Sequence, residues 1–439
     1  MSEKKRILVV GGGYVGMYTA LRLQRGLRRE LRRGEVEIVV ASPESYMTYQ
    51  PFLPEAAAGN LEPRHVVTPL RKVLKRCTIL NGHITGVDHA QRVAQLQVTG
   101  QESSSISYDI LVMAAGSISR TLPIPGLADN GIGFKTVEEA IYLRNRILGL
   151  LDLAQSTSDE RLRRCCLTFV FVGGGFAGVE ALGELEDMSK DALRYFPSLK
   201  REDMRWILVE ASPRILPEVG EDMGRWTVQA LRERGIEVRL ETLLKSAENQ
   251  QITLSDGQTF EAATLVWTAG VKPHPMLNNT DLPLDDKGRL KATADLTVDG
   301  VQDAYTAGDN AAVPDLTKPG EYCAPNAQHA VRQAKRLALN IIADLRGKPR
   351  KPYKHAYAGS VASLGLHKGV AQVYGIKLRG WPAWFMHRTY HLSRVPTVNR
   401  KVRVTLDWSL ALFFHREIVS LGSLQAPRRE FELATTPKT

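Results

Sequence analysis

The chain has few cysteines, no long uncharged apolar run and no compositionally biased tract, and each absence narrows its function. Its four cysteines are Cys77, Cys165, Cys166 and Cys323. None is spaced as CxxC or CxxxxC, and no histidines stand at zinc-ligand spacing beside them. This argues against a structural zinc site or any other metal centre and against a Cys-x4-Cys redox dithiol. What remains is reduced, largely buried thiols of the kind found inside cells. No stretch approaches the roughly 18 uncharged apolar residues needed to cross a bilayer. Lys4-Lys5-Arg6 precedes only four apolar residues, which run into glycines rather than a small-residue cleavage site, so a signal peptide is not expected. The expectation is a protein made and kept on the cytoplasmic side. With 439 residues, 43% hydrophobic and 24% charged, the composition is that of a globular protein large enough for two or three domains.

Charge is present in excess of one sign. The formal net charge is +11, which suits anionic lipid or nucleic acid, so its distribution must decide. From Gly375 onward there are 11 Lys/Arg against 4 Asp/Glu, together with three of the six tryptophans, Trp381, Trp384 and Trp408.

Glycine is abundant at 36 residues and much of it is clustered. A short apolar strand over residues 6–10 runs into Gly11-Gly12-Gly13-Tyr14-Val15-Gly16, then a helical pattern to Leu31 and a second strand over 36–41. The same order recurs as a strand over 167–172, Gly173-Gly174-Gly175-Phe176-Ala177-Gly178, a helix, and a strand over 205–210. Apolar strands alternating with helices indicate an α/β protein with largely parallel sheets covered on both faces. Two such openings predict two Rossmann-like dinucleotide-binding domains, one inserted in the other. Further strands end in small residues at Ala115-Gly116, Ala269-Gly270 and Gly308-Asp309. Pro/Gly punctuation places the chain crossings near residues 135 and 272. The expected boundaries are 1–135 with 272–374 for the outer domain, 136–271 for the inserted one, and 375–439 for a C-terminal region.

One GxGxxG is weak evidence, but each copy here follows a buried strand and opens a helix, which is the context that gives it meaning. The first glycine permits a tight turn, the second lets backbone approach a pyrophosphate, and the third lets helix and strand pack closely. The helix N-terminus supplies free N–H groups for phosphate. Gly11, Gly13 and Gly16, and Gly173, Gly175 and Gly178, are therefore assigned to two dinucleotides. Glu210 closes the strand after the second loop. A carboxylate there accepts from both ribose hydroxyls and repels a 2′-phosphate, so NADH is favoured over NADPH. The equivalent place after the first loop holds Ser42, with Glu44 two residues on, a departure from the usual acid. Asp309, after a short strand and joined to the two fingerprints, suits the ribityl hydroxyls of FAD.

On these residues the chain resembles the two-dinucleotide-binding-domain flavoproteins and, within them, the type II NADH dehydrogenases (NADH:quinone oxidoreductases), over nearly its whole length. The matching stretches are the two fingerprints and residues 49–59, 209–217, 266–271, 307–309 and 327–330. The resemblance implies FAD at Gly11, Gly13, Gly16 and Asp309 and NADH at Gly173, Gly175, Gly178 and Glu210. It also places Tyr14, Ser42, Gln50, Pro51, Ala115, Gly116, Gly270, Gly308 and Ala327 at the cofactors, with 49–59 similar to the segment lying against the flavin. Glu180 matches a family glutamate near the flavin, linked to proton delivery or nicotinamide placement; a plain partner of the helix dipole is the other reading. The family's quinone motif, Ala-Gln-x-Ala-x-Gln, appears as Ala327, Gln328 and Ala330, with Arg332 replacing the second Gln and Gln333 following it. Gln328 and Arg332 are thus the quinone-site candidates. The implied reaction carries hydride from NADH to FAD and two electrons onward to menaquinone or ubiquinone, without proton pumping.

The tail reads as a helix over 378–394, broken at Pro396, and a second apolar segment over 404–414 that is too short to span a membrane. Aromatic and basic residues in such helices favour the bilayer interface and anionic lipid, and the tail resembles the family's membrane-attaching C-terminus. The expectation is a peripheral protein on the cytoplasmic face of the cell membrane. Burial of the helix pair in a homodimer stays open as a second reading. Nucleic acid fits poorly, for want of a recognisable binding module. Two alternatives remain: a sulfide:quinone oxidoreductase, which needs a cysteine pair at the flavin, and a low-turnover, NADH-sensing interaction protein.

Overall fold

The computed structural model describes residues 4–355, 359–420, 428–429 and 431–432; the last part of the expected C-terminal region lies outside them. Contacts gather the chain into two compact units, one of Met1–Thr48, Val67–Arg120 and Gly270–Tyr357, the other of Tyr49–Val66, Thr121–Ala269 and Ala358–Thr439.

In the first unit, five parallel strands lie in the order Ala304–Thr306, Ile110–Met113, Lys5–Val10, Val36–Ser42 and Thr78–Asn81. Strand periodicity divides their side chains between two cores. Ile7 and Val9 face one core with Met17 and Leu23 of the helix Tyr14–Gly26 and Leu337 and Ile341 of the helix Ala327–Leu345. Leu8 and Val10 face the other, with Ala94, Leu96, Met276 and Leu277. Both faces of the sheet are thus covered, which is why its strands read as continuous apolar runs. The helical pattern expected to reach Leu31 is divided, because a short second helix, Arg28–Arg33, follows the first.

The second unit repeats the arrangement with parallel strands in the order Gly131–Ile132, Thr264–Trp267, Thr168–Val172, Arg205–Val209 and Ile236–Arg239. The helix Phe176–Ala192 follows its central strand and is buried along most of its length. Against it lie the short helix Leu53–Ala57 and the strand Gly359–Ser363. That strand begins an antiparallel sheet with Gly369–Val373 and Ile376–Arg379.

These units divide the chain elsewhere than at residues 135 and 374. The observed crossings fall after Thr48, Val66, Arg120, Ala269 and Tyr357, the one after Ala269 lying close to the crossing expected near 272. Residues 49–66 and 359–379 join the second unit because they pack on the helix Phe176–Ala192. Helix boundaries in the tail also need correction. Residues 376–379 complete a hairpin through Tyr374-Gly375, both at positive φ, the backbone of a type I′ turn. The first tail helix therefore begins at Trp381 rather than 378 and runs to Arg394, and the second spans Val398–Phe413 rather than 404–414. No helix among the described residues is long and apolar enough to cross a membrane.

Candidate functional site: two glycine loops and a buried acidic helix face

The two fingerprint loops have the same steric design. A Cβ on Gly11 (φ +103°) would stand 2.3 Å from Ala114 O, and one on Gly16 1.8 Å from Gly11 O. In the second loop a Cβ on Gly173 (φ +117°) would meet Thr268 at 2.7 Å, and one on Gly178 would lie 2.0 Å from Gly173 O. The outer glycines of each loop are thus demanded by the protein's own packing. The middle ones, Gly13 and Gly175, have nothing within 4 Å. Each is the N-cap of its helix, Tyr14–Gly26 or Phe176–Ala192, with no side-chain cap bond and no acid in the first turn. Each loop is therefore an open cradle of helix N–H groups, a fit for a dinucleotide pyrophosphate. Tyr14 is the first helical residue behind the first cradle.

Around the first loop, Ser42 is buried at the strand end, and its Oγ would lie 2.6 Å from a Cβ on Gly12. Glu44 is exposed. Asp309 accepts from Ser117 Oγ at 2.6 Å. Its turn, Gly308–Asn310, is fixed from three sides: Gly308 N donates to Gln333 Oε1 (2.7 Å), Gly116 N donates to Asn310 Oδ1 (3.1 Å), and Asn310 Nδ2 donates to Met113 O (3.1 Å). Gly11, Gly13, Gly16, Ser42, Ala115, Gly116, Gly308 and Asp309 thus gather at the C-terminal ends of parallel strands, the ligand edge of such a sheet. Ser117 and Asn310 carry no signal in the sequence, and Gln333 stands there only as the neighbour of Arg332. The Gln333 carboxamide thus holds the Asp309 turn.

Ala327 and Gln328 open the helix Ala327–Leu345, where Asn326 accepts from His329 N at 2.9 Å. One turn on, Arg332 Nη1 donates to His355 Nδ1 (3.1 Å). Tyr353 OH lies 3.0 Å from His329 Nδ1, and the His329 and His355 rings are 4.1 Å apart. Burial, and then the neighbouring His355, push the His329 pKa down to about 4. Arg332 therefore belongs to a structured polar cluster. Gly270 begins the stretch that joins this first unit and pairs through Val271–Pro273 with Ser117–Ser119; it is not grouped with the second loop.

In the second unit, Glu210 grips the second loop. Gly174 N donates to its Oε2 at 2.5 Å, and Ser212 N and Oγ donate to its Oε1 at 2.8 and 2.5 Å. Thr268 Oγ1, another residue not foreseen, donates to Val172 O at 3.0 Å beside this loop. Gln50 donates from Nε2 to Lys135 O (3.2 Å), and Pro51 lies within the 3-10 turn Gln50–Phe52.

Glu180 is buried on the second turn of its helix, so it is not a first-turn dipole partner. Glu180, Glu184 and Asp187 form one face at i, i+4 and i+7. The opposing donors come from residues 363–368. Ser363 N donates to Glu180 Oε1 (2.9 Å), Ser363 Oγ to Glu184 Oε1 (2.7 Å) and Leu366 N to Asp187 Oδ2 (2.6 Å). His387 Nε2 stands 3.0 Å from Glu180 Oε1. Burial alone would drive His387 toward its neutral form, but the carboxylates of Glu180, Glu55 and Glu184 outweigh it and raise its pKa.

The cysteines do not form a reactive pair. Burial pushes the Cys77 thiol up to about 12 and those of Cys165 and Cys323 to about 11, away from the thiolate that sulfur exchange requires. Cys165 and Cys166 end the helix Glu160–Cys166. No metal-ligand cluster occurs among the described residues.

Residues 5–334 match the pyridine nucleotide-disulphide oxidoreductase family. A type II NADH:quinone oxidoreductase of Staphylococcus aureus is 30% identical over 392 residues, 88% of this chain and 94% of that protein. The Mycobacterium tuberculosis type II NADH:quinone oxidoreductase Ndh is 28% identical across 94% of this chain and 89% of its own length. The structure of NDH2 from Plasmodium falciparum in complex with NADH superposes with a TM-score of 0.87 at 17% identity, covering 95% of this chain and all of that one, a likeness of fold. The chain belongs to the pyridine nucleotide-disulphide oxidoreductase family and, within it, to the type II NADH:quinone oxidoreductases.

Proposed function

We propose that this enzyme oxidises NADH with a bound FAD and delivers the electrons to a quinone, by the overall reaction NADH + H⁺ + quinone → NAD⁺ + quinol. The observation that carries the reading is the pair of glycine cradles, each open at its middle glycine and uncapped at its helix. The first cradle, with Asp309, is assigned to FAD and the second, with Glu210, to NADH. When bound, FAD supplies the redox chemistry, taking a hydride and passing on two electrons.

The chain's own part is to position, exclude and move protons. The N–H groups behind Gly13 and Gly175 meet pyrophosphate. Glu210, already aligned by Gly174 and Ser212, accepts from the ribose hydroxyls of NADH and opposes the extra phosphate of NADPH. Glu180, held between Ser363 N–H and His387, is the proton-handling group. Gln328, with Arg332 set by His355, receives the quinone headgroup. The assigned location is the face of a membrane bearing anionic lipid, where a hydrophobic quinone is met.

The test is a half-reaction series on purified protein. NADH should bleach the flavin, menadione should restore its colour, and NADPH should serve at least about ten-fold less well. Bleaching without reoxidation by any short-chain quinone would leave only the nicotinamide half of the reading. Sulfide replacing NADH as donor would overturn it in favour of sulfide:quinone chemistry.

A further inference from the structure

Glu184 is wholly buried one turn beyond Glu180 on the helix Phe176–Ala192. Positions i and i+4 share a helix face, and here both carboxyls meet one residue of the opposing strand. Ser363 donates its backbone N–H to Glu180 (2.9 Å) and its hydroxyl to Glu184 (2.7 Å). Asn60 Nδ2 donates to the other Glu184 oxygen at 3.1 Å. We propose that Glu184 is a proton-storing partner of Glu180, the two acids acting as one coupled pair through Ser363.

The surroundings favour a proton on Glu184. Two buried carboxylates sharing a site cannot both ionise at ordinary cost. Facing Glu184 are Glu55 from the helix Leu53–Ala57, His387 from Trp381–Arg394, Arg416 from beyond Val398–Phe413, and Asp187 from its own helix, with Glu180 one turn before it on the same face. Arg388, the buried guanidinium of the helix Trp381–Arg394, is bound to Glu55 at 2.8 Å. Burial first, and then Glu55 and Asp187, push the Glu184 pKa up to about 7 against the opposing pull of Arg416 and Ser363. A serine hydroxyl both donates and accepts, so Ser363 serves Glu184 in either protonation state.

The overall reaction consumes one proton from the medium per NADH. Glu184 holds that proton in the resting enzyme and, on losing it to the reaction through the pair, is reprotonated from solvent. Nothing else is oxidised or reduced by this step. Glu184 acts through Glu180 and is a positioning residue. The inference rests on the proposed role of Glu180, so its test must separate the two.

Glu184→Gln keeps shape and hydrogen bonding while fixing the site in a neutral state. The wild-type profile of kcat against pH for quinone reduction should break near pH 7. The E184Q profile should lose that break, with kcat lower by on the order of ten-fold and single-turnover bleaching by NADH unchanged. Infrared difference spectra should show a carboxylic-acid carbonyl band titrating over the same range in wild type, shifted to lower pH in E180Q, which lacks the second carboxylate of the pair, and absent in E184Q. Ser363→Ala should shift the break, because it removes the hydroxyl bond to Glu184 and leaves the backbone bond to Glu180. An E184Q enzyme that retains the break and the band overturns the inference. An E180Q enzyme with wild-type quinone reduction would instead sink the assignment of Glu180, a separate result.

Discussion

The six fingerprint glycines look alike in sequence but differ in what a methyl group would meet. Gly11 has φ +103° and a carbonyl 2.3 Å from its would-be Cβ, so Gly11→Ala combines backbone strain with overlap. Each effect costs about 1–3 kcal/mol, and the variant should melt well below wild type or fail to fold. Gly13 has φ −72° and open space instead. Gly13→Ala should leave the apoprotein within about 0.5 kcal/mol of wild type while reducing bound flavin, read from absorbance against protein. Gly175→Ala, the counterpart in the second loop, should keep its flavin and raise KM for NADH. Equal melting losses at Gly11 and Gly13 would contradict this division. The sequence locates the loops because a strand, three glycines and a helix are adjacent in the chain. It does not show which methyl would strike protein, since Ala114 and Thr268 reach the loops from about a hundred residues away.

At the scale of elements, the helix Phe176–Ala192 shows why part of the site escaped sequence reading. Glu180, Glu184, Glu186 and Asp187 suggest a solvated face, yet all four are buried. Glu186 has one local partner, Lys190 at i+4, but the others, Arg201, Arg234, Ser363, Leu366 and His387, come from outside the helix, so periodicity alone could not announce the burial. The tail is bound by a similar distant contact. Glu55 Oε2 accepts from Arg388 Nη2 and from Trp408 Nε1, both at 2.8 Å, and so ties both tail helices to residues 53–57. The Arg388 guanidinium also lies 4.2 Å from the Trp384 ring centroid and 4.8 Å from that of Trp408. Arg388→Met leaves Glu55 buried without its cation and should cost about 3–5 kcal/mol, measured by thermal or urea unfolding. Adding Glu55→Gln should recover much of that loss, because the isolated charge is what is expensive. A single Arg388→Met variant within 1 kcal/mol of wild type would show that the pair has little structural weight.

For the whole molecule, the excess of 11 positive charges and the apolar surface of the last helix bear on one question: where the protein works. Val398, Val402, Leu406, Leu410 and Phe413 are each more than half exposed and recur at three- or four-residue spacing, which sets them along one helix face. Only Val404 of that helix is buried, while Arg400, Lys401 and Arg403 supply cations on its first turns. The stripe starts six residues before the apolar segment expected over 404–414, because the basic first turn hides its start. An exposed stripe beside cations suits an anionic bilayer surface, where apolar burial and charge attraction add. The protein should float with vesicles containing anionic lipid, bind more weakly as salt rises, and bind poorly to neutral vesicles. Replacing Leu406, Leu410 and Phe413 with serine should abolish flotation and reduction of long-chain quinones while NADH still bleaches the flavin and menadione still turns over. If a second copy covers this stripe, the wild type will run as a dimer in solution, the triple variant as a monomer, and vesicles will capture neither.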